Sequence, residues 1–335
     1  MNNMFPRPRF WAEAAERIKP RRPVFSELLR YLLLSMIALL AQSVLISIPM
    51  SFWLLKNKGD ELMAAFEAGE LPQSLLLNLM KQMPDWLTVI SLLSSAVIGV
   101  AAVFYCLKIQ KRTLSSMGLC GKHRLAEGAL GFALGLALTA AALALGFAAG
   151  GYRLVCSRPS GETLGLLLLA LLGCAVYGAS LELLTRGCLA PTLGAGLPVA
   201  AALVISTLAS LMMQSGGELF SLATANELLL GLLLGIWVVK RGSLWSACGF
   251  HAAWLFAQSF LADVAPADAH GSIHLFCVDA DLYRPAVSGG ELGPMGSIGV
   301  TIVLLLAVAA ALALRPRDPA PPAPKPTQDE NSNFL

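Results

Sequence analysis

A glutamate and an arginine stand four residues apart in "GASLELLTRG", residues 178–187, at the end of a stretch that is otherwise apolar. On a helix Glu182 and Arg186 meet on one face, in the order that suits the helix dipole. Alone, a strongly polar side chain costs about 2.5 to 3.5 kcal/mol at the centre of a membrane helix, so the two are tolerable only as partners facing a bundle interior. They read equally as an ion pair that fixes helix orientation or as part of a functional site. Gln214 ends "LVISTLASLMMQ" and His251 sits inside "GSLWSACGFHAAWLF". A lone histidine on an apolar helix is more often a packing residue than a ligand, but three polar positions on three helices shift the balance toward a shared site. At 1.5 Å per residue Glu182 and His251 fall roughly 16 and 12 Å deep and can meet, whereas Gln214, roughly 25 Å from Leu197, needs a tilted or displaced helix.

The elements that must position these groups are membrane helices. The chain has 335 residues, 56% hydrophobic and 13% charged, against about 25% charged for a soluble domain. Runs of the ~20 apolar residues that cross a bilayer lie near 30–54, 86–107, 128–150, 164–190, 197–214, 220–239, 243–263 and 294–314. The expected fold is an all-α polytopic membrane protein of about eight transmembrane helices. Basic clusters at 7–22, 108–124, 240–241 and 315–317 fall on one side of that arrangement, with Asp60, Glu61, Glu67, Glu70, Asp85, Asp263, Asp268, Asp279, Asp281 and Glu291 on the other. Short cytoplasmic loops collect Lys and Arg, so both termini are expected in the cytoplasm, here of a bacterial plasma membrane.

Four regions follow: a basic N-terminal segment, 1–29; N-terminal helices and loops, 30–162; a core, 163–314; and a proline-rich tail, 315–335, with the composition of a disordered segment. The first 29 residues are too polar and too long for a cleaved leader, so the first span is a retained anchor. The net charge of +3 reflects topology, and no nucleic-acid motif, phosphate loop or dinucleotide fingerprint is visible. No cofactor is expected. Nor is a metal, since a zinc site wants about three protein ligands and only Glu182 and His251 are at hand, with His270 and His274 in an outer loop. Of seven cysteines, Cys156 and Cys277 fall outside, where they pair if the compartment oxidises thiols or stay free. Gly131 and Gly135 form a GxxxG pattern that lets helices approach closely. Residues 71–86 place Leu and Met on one helical face, as for a segment lying on the membrane surface.

In order and wording these segments resemble the CPBP family, the CAAX-protease and bacteriocin-processing (Abi) intramembrane endopeptidases. "LELLTRG" is similar to the EExxxRG motif, "ISTLASLMMQ" to the FxxxH helix, "GSLWSACGFHAAWLF" to the HxxxN helix, and "SGGELGPMGSIGVTIVLLL" to the entry of the last span. The resemblance implies a CAAX-protease-like bundle in which a glutamate activates water while histidines and an asparagine stabilise the oxyanion. It also marks departures. Leu181 stands at the first glutamate, Gln214 at the first histidine, Ser210 at the phenylalanine and Leu255 at the asparagine. Glu182, Arg186 and His251 remain, with Gln214 able to donate a hydrogen bond. Leucine accepts no proton, so the resemblance implies a fold retained with peptidase activity lost or altered. The alternative is a scaffold or chaperone that holds a lipidated or helical segment of another membrane protein, its partners being the bilayer and that peptide. A transporter is disfavoured because no inverted repeat or matched pair of broken helices is visible.

Overall fold

The computed structural model describes residues 5–18, 24–67, 69, 84–155, 160–214, 220–267, 270–271 and 273–317, apart from the side chains of Met213 and Gln214. Every apolar run becomes helix. The elements are α1 (Arg9–Arg17), α2 (Val24–Glu67), α3 (Asp85–Ser94), α4 (Ala96–Phe104), α5 (Arg124–Ala148), β1 (Tyr152–Val155), α6 (Gly161–Glu182), α7 (Ala190–Gly194), α8 (Val199–Gln214), α9 (Leu222–Arg241), α10 (Trp245–Phe256), β2 (Ala262–Ala265), β3 (Phe276–Ala280) and α11 (Ile298–Ala313). Wide π-helical turns extend α4 through Tyr105–Ile109, join α6 to α7 through Leu183–Leu189, and extend α10 through Ala257–Leu261. Among the described residues, 24–67, 85–109, 124–148, 161–194 and 222–241 are long and apolar enough to cross a membrane, while α8 and α11 are shorter apolar helices. The protein is an integral, all-α polytopic membrane bundle.

Helix α2 shows why a bilayer is required. Leu29, Leu33, Ile37, Leu40, Val44, Ile48, Phe52 and Leu55 recur every three or four residues and are all exposed, an apolar stripe that only lipid can cover. At 44 residues the helix is about 66 Å long, twice the ~30 Å of the hydrocarbon layer. Asp60, Glu61 and Glu67, expected in a loop, therefore ride on its extension. The reason is local: Asn57, Gly59 and Asp60 are weak helix formers, but Asn57 donates to the Trp53 carbonyl at 2.8 Å and Lys58 pairs with Glu61 at 2.9 Å, which carries the helix into the better formers of 61–67. Of the expected surface helix at 71–86, all but 84–86 lies outside the described residues, as do 318–335 of the tail.

Two glycine contacts set the centre of the bundle. A Cβ at Gly131 of α5 would lie 1.8 Å from the Ser246 carbonyl oxygen, and one at Gly249 of α10 would lie 2.1 Å from that of Gly128. The backbones thus touch where α5 crosses α10, the helix that carries His251, which is the use the GxxxG pattern suggested.

The basic residues do more than report sidedness. Arg241 grips Glu127 with two bonds, 2.9 and 2.5 Å, tying α9 to α5. Lys240, buried, donates to the carbonyls of Leu312 and Leu314 at 3.0 and 2.8 Å and closes the open end of α11, as cations do at helix C-termini. The N-terminal segment is anchored too, because Trp11 of α1 is fully buried against Gly194, and Thr113 donates to Glu13.

At the opposite end lies a three-stranded sheet in the order β1–β3–β2, antiparallel then parallel, which the sequence reading did not anticipate. His270 reaches Asp263 of β2 through Nδ1 at 3.3 Å and Asp279 of β3 through Nε2 at 3.0 Å, and Arg153 of β1 pairs with Asp279 at 2.8 Å. First His270 and then Arg153 hold the Asp279 carboxyl below its ordinary range. Cys277 forms no disulfide among the described residues, and its Sγ lies 3.0 Å from Nε2 of His274. Cys156, its suggested partner, lies outside the described residues.

Candidate functional site

Helix α6 delivers Glu182 as its last residue and then widens into the π-helical turn Leu183–Leu189 that carries Arg186. A π turn leaves carbonyls without the usual helical donor. Arg112, buried at 3% exposure, supplies donors to Gly187 and Cys188 at 2.8 and 3.1 Å. It also donates to the Ser116 carbonyl at 2.6 Å. A residue that reads in sequence as one of a loop's basic charges is thus the brace of the motif.

The three retained motif residues converge. Arg186 donates through Nη1 to Glu182 Oε1 at 3.0 Å and through Nη2 to the Gly231 carbonyl on α9 at 2.7 Å. Nδ1 of His251 lies 3.0 Å from the same Glu182 oxygen. Against an ionised carboxylate Nδ1 must be the donor, which leaves Nε2 of a neutral ring as an acceptor. Tyr177 packs edge-on against that ring, centroids 6.1 Å apart. Gly231 has to be glycine, because a Cβ there would sit 2.5 Å from Thr207 Cγ2 and 3.2 Å from Arg186 Nη2.

These residues border a cavity of about 480 Å³, whose wall includes Arg186, Thr207, Ser210, Glu227, His251 and Leu255. That size falls within the roughly 300–1,000 Å³ of ligand pockets. Glu182 is fully buried and is not part of the wall, while its partners Arg186 and His251 are. Leu181 faces elsewhere, toward a second chamber of about 270 Å³ shared with Tyr31, Ser35 and Thr185. Leu255 does line the main cavity, where an asparagine would have offered an amide. Gln214 closes α8, and its side chain lies outside the described residues. Two and one turns earlier on the same helix, Thr207 and Ser210 reach the cavity, and Thr185 donates to Ser210 Oγ at 3.2 Å. Among the described residues no three His, Cys, Asp or Glu side chains are placed to share one metal ion. His270 and His274 belong to the sheet, away from Glu182.

Sequence reasoning missed Glu227, Gln258, Asp263 and Glu291, all on the cavity wall. Glu227 was within reach of it, being a lone carboxylate inside the apolar run of α9, the same anomaly that marks Glu182. Its neighbour Asn226 is fully buried. Asn226 donates to the carbonyls of Met295 and Ser297 at 2.7 and 3.1 Å and accepts from Thr301 at 2.8 Å. With Asn226 locked toward α11, Glu227 is turned to the cavity. Gln258 gets there on the π turn after α10, for which no sequence signal exists.

Residues 163–257 match the family model described as type II CAAX prenyl endopeptidase Rce1-like. The match ends before the glycine-rich stretch 288–306, so that fourth block of the resemblance rests on its wording alone. No curated protein and no solved structure matches the chain. The matched segment holds Glu182, Arg186 and His251 in contact and runs from α6 to the end of α10, and over that segment the chain is similar to the CAAX-protease-like membrane proteins.

Proposed function

We propose that this protein binds a lipidated or helical segment of another membrane protein in its main cavity and releases it uncut. One observation carries the reading: the glutamate retained from the motif has its Oε1 engaged by both Arg186 and His251, and it is not part of the cavity wall. A base must reach the water it deprotonates. The neighbouring motif position is Leu181, which accepts no proton, and Leu255 offers no donor to an oxyanion. The charge bias of the loops supports an orientation with both termini in the cytoplasm.

A second reading is favoured by one contact. Glu182 orients His251 through Nδ1 and His251 lines the cavity, the relation in which a carboxylate-bound imidazole acts as a general base through its other nitrogen. On that reading the protein is an endopeptidase with His251 in the role the family gives to glutamate.

New protein N-termini in membranes separate the two. Cells lacking the protein, cells expressing it unchanged and cells expressing His251→Ala are expected to share one set of termini. Termini that arise with the unchanged protein and vanish with His251→Ala would overturn the binding reading and establish the peptidase.

A further inference from the structure

The charges of the main cavity divide into a floor where they cancel within the protein, although Glu182 Oε2 and Arg186 Nε make no hydrogen bond among the described residues, and a wall whose carboxylate has no cation among those residues. At the floor the charge of Arg186 is cancelled by Glu182 at 3.0 Å, and its Nη2 is taken by the Gly231 carbonyl. One turn along α9 toward the sheet end stands Glu227, on the same helical face as Gly231, about 8 Å from the start of the helix. Glu227 is half-buried and has no hydrogen bond or ion pair among the described residues. Nearer the mouth are Asp263, held by His270 and by the backbone N–H of Gly271 at 2.7 Å, and the exposed Glu291. With Arg186 neutralised, the cavity's field is that of its carboxylates, which draws cations inward.

Two buried side chains on the same wall point independently to an occupant. Thr207 is 3% exposed and Gln258 9%; both line the cavity, and Thr207 Oγ1 and Gln258 Nε2 make no hydrogen bond among the described residues. Buried polar atoms are normally paired. A hydroxyl can accept from an ammonium or guanidinium, and an amide nitrogen needs an acceptor such as a peptide carbonyl. The rest of the lining includes Leu211, Leu230, Leu234, Trp254, Leu255 and Met295, a surface for an apolar chain.

We propose that the main cavity receives a basic side chain, lysine or arginine, carried on an apolar membrane-embedded peptide, with Glu227 as its counter-ion and Gln258 on an adjacent peptide carbonyl. This rests on the reading of the cavity as a peptide-binding site and gives that site its selectivity. In a low-dielectric wall an unpaired carboxylate is costly, and a cation arriving on the ligand is the partner that it lacks.

The test uses the full-length protein in nanodiscs of uncharged phosphatidylcholine. Two synthetic apolar helical peptides with a photo-crosslinker differ at one central residue, lysine in one and methionine in the other. The lysine peptide is expected to bind at least about tenfold more tightly, and Glu227→Gln to abolish that preference. Leu255→Trp, which fills the cavity, is expected to weaken both peptides. Equal binding of the two peptides by the unchanged protein, with both weakened by Leu255→Trp, overturns the cation site and leaves the peptide-binding reading standing. Binding of neither peptide overturns both. Displacement of the lysine peptide by free butylamine at equal concentration also overturns the proposal, in favour of a small-amine site. The comparison of the two peptides on the unchanged protein needs no variant to fold.

Discussion

Glu182 and Glu227 are carboxylates set in apolar helices around one cavity, and the protein treats them oppositely. Glu182 is fully buried with two partners at 3.0 Å on a single oxygen. Glu227 faces the cavity with no hydrogen bond or ion pair among the described residues. The difference lies in what the neighbouring elements offer. The π turn after α6 swings Arg186 back to Glu182, and Gly178 lets α6 approach α10 so closely that a Cβ there would stand 3.2 Å from that of His251. On α9 the residue that finds partners is Asn226, and Glu227 is left over. A charge consumed by its own fold holds helices together, whereas a charge left without a partner is available to a ligand.

Breaking the first arrangement should be the more expensive. Arg186→Met leaves the Glu182 carboxylate buried without its cation and is expected to cost about 3 to 5 kcal/mol, whereas Glu182→Leu with Arg186→Met should recover most of that loss, because the buried charge is gone. Glu227→Gln removes no hydrogen bond or ion pair among the described residues and should stay within about 0.5 kcal/mol. Thermal unfolding of the unchanged protein and these three variants in one detergent measures all of these. An Arg186→Met variant as stable as Glu227→Gln would break the comparison, since Glu182 would then need its partner no more than Glu227 does.

A smaller effect tests how His251 is brought to Glu182. Gly131→Val forces a side chain into the Ser246 carbonyl and should cost about 1 to 3 kcal/mol, the range for overpacking. Gly165→Val on α6, with nothing within 4 Å of its Cβ position, is the control and should leave melting unchanged. If both melt alike, the α5–α10 contact is not what seats His251.

The smallest effect concerns the carboxylates at the sheet end. His270 and Arg153 lower the folded-state pKa of Asp279, so its contribution to stability is present above the unfolded value of about 3.9 and is lost as pH falls through the lower folded value. Acid melting below about pH 4 should reveal a component that Asp279→Asn lacks. Identical acid profiles would mean that His270 does not clamp β2 and β3, and that Asp263 at the cavity mouth is as free as Glu227.

Much of the site was legible because apolar helices make polar residues conspicuous. Glu182, Arg186 and His251 each interrupt a hydrophobic run, and depth counted along the helices put Glu182 and His251 at one level. Counting gave the helices too, since a span needs only length and hydropathy. Glu227 breaks the apolar run of α9 in the same manner, but whether it turns to lipid, to a neighbour or to the cavity depends on Asn226 finding Met295, Ser297 and Thr301, from 69 to 75 residues away. The role of Arg112 was hidden for the same reason. In sequence it is a loop charge, and only the proximity of Gly187 and Cys188, 75 and 76 residues on, makes it a brace.

The amino-acid sequence by itself determined that the chain belongs in a membrane, where its helices run, and that Glu182, Arg186 and His251 can share a site, because hydropathy and the 3.6-residue period are local properties. The tertiary structure alone decided that Leu181 opens on a different chamber from Leu255, that α1 docks on the core, that three strands close one end, and that Glu227 lines the cavity with no ion pair among the described residues. Those outcomes depend on the rotation of each helix about its axis and on partners far along the chain, which neither composition nor spacing encodes.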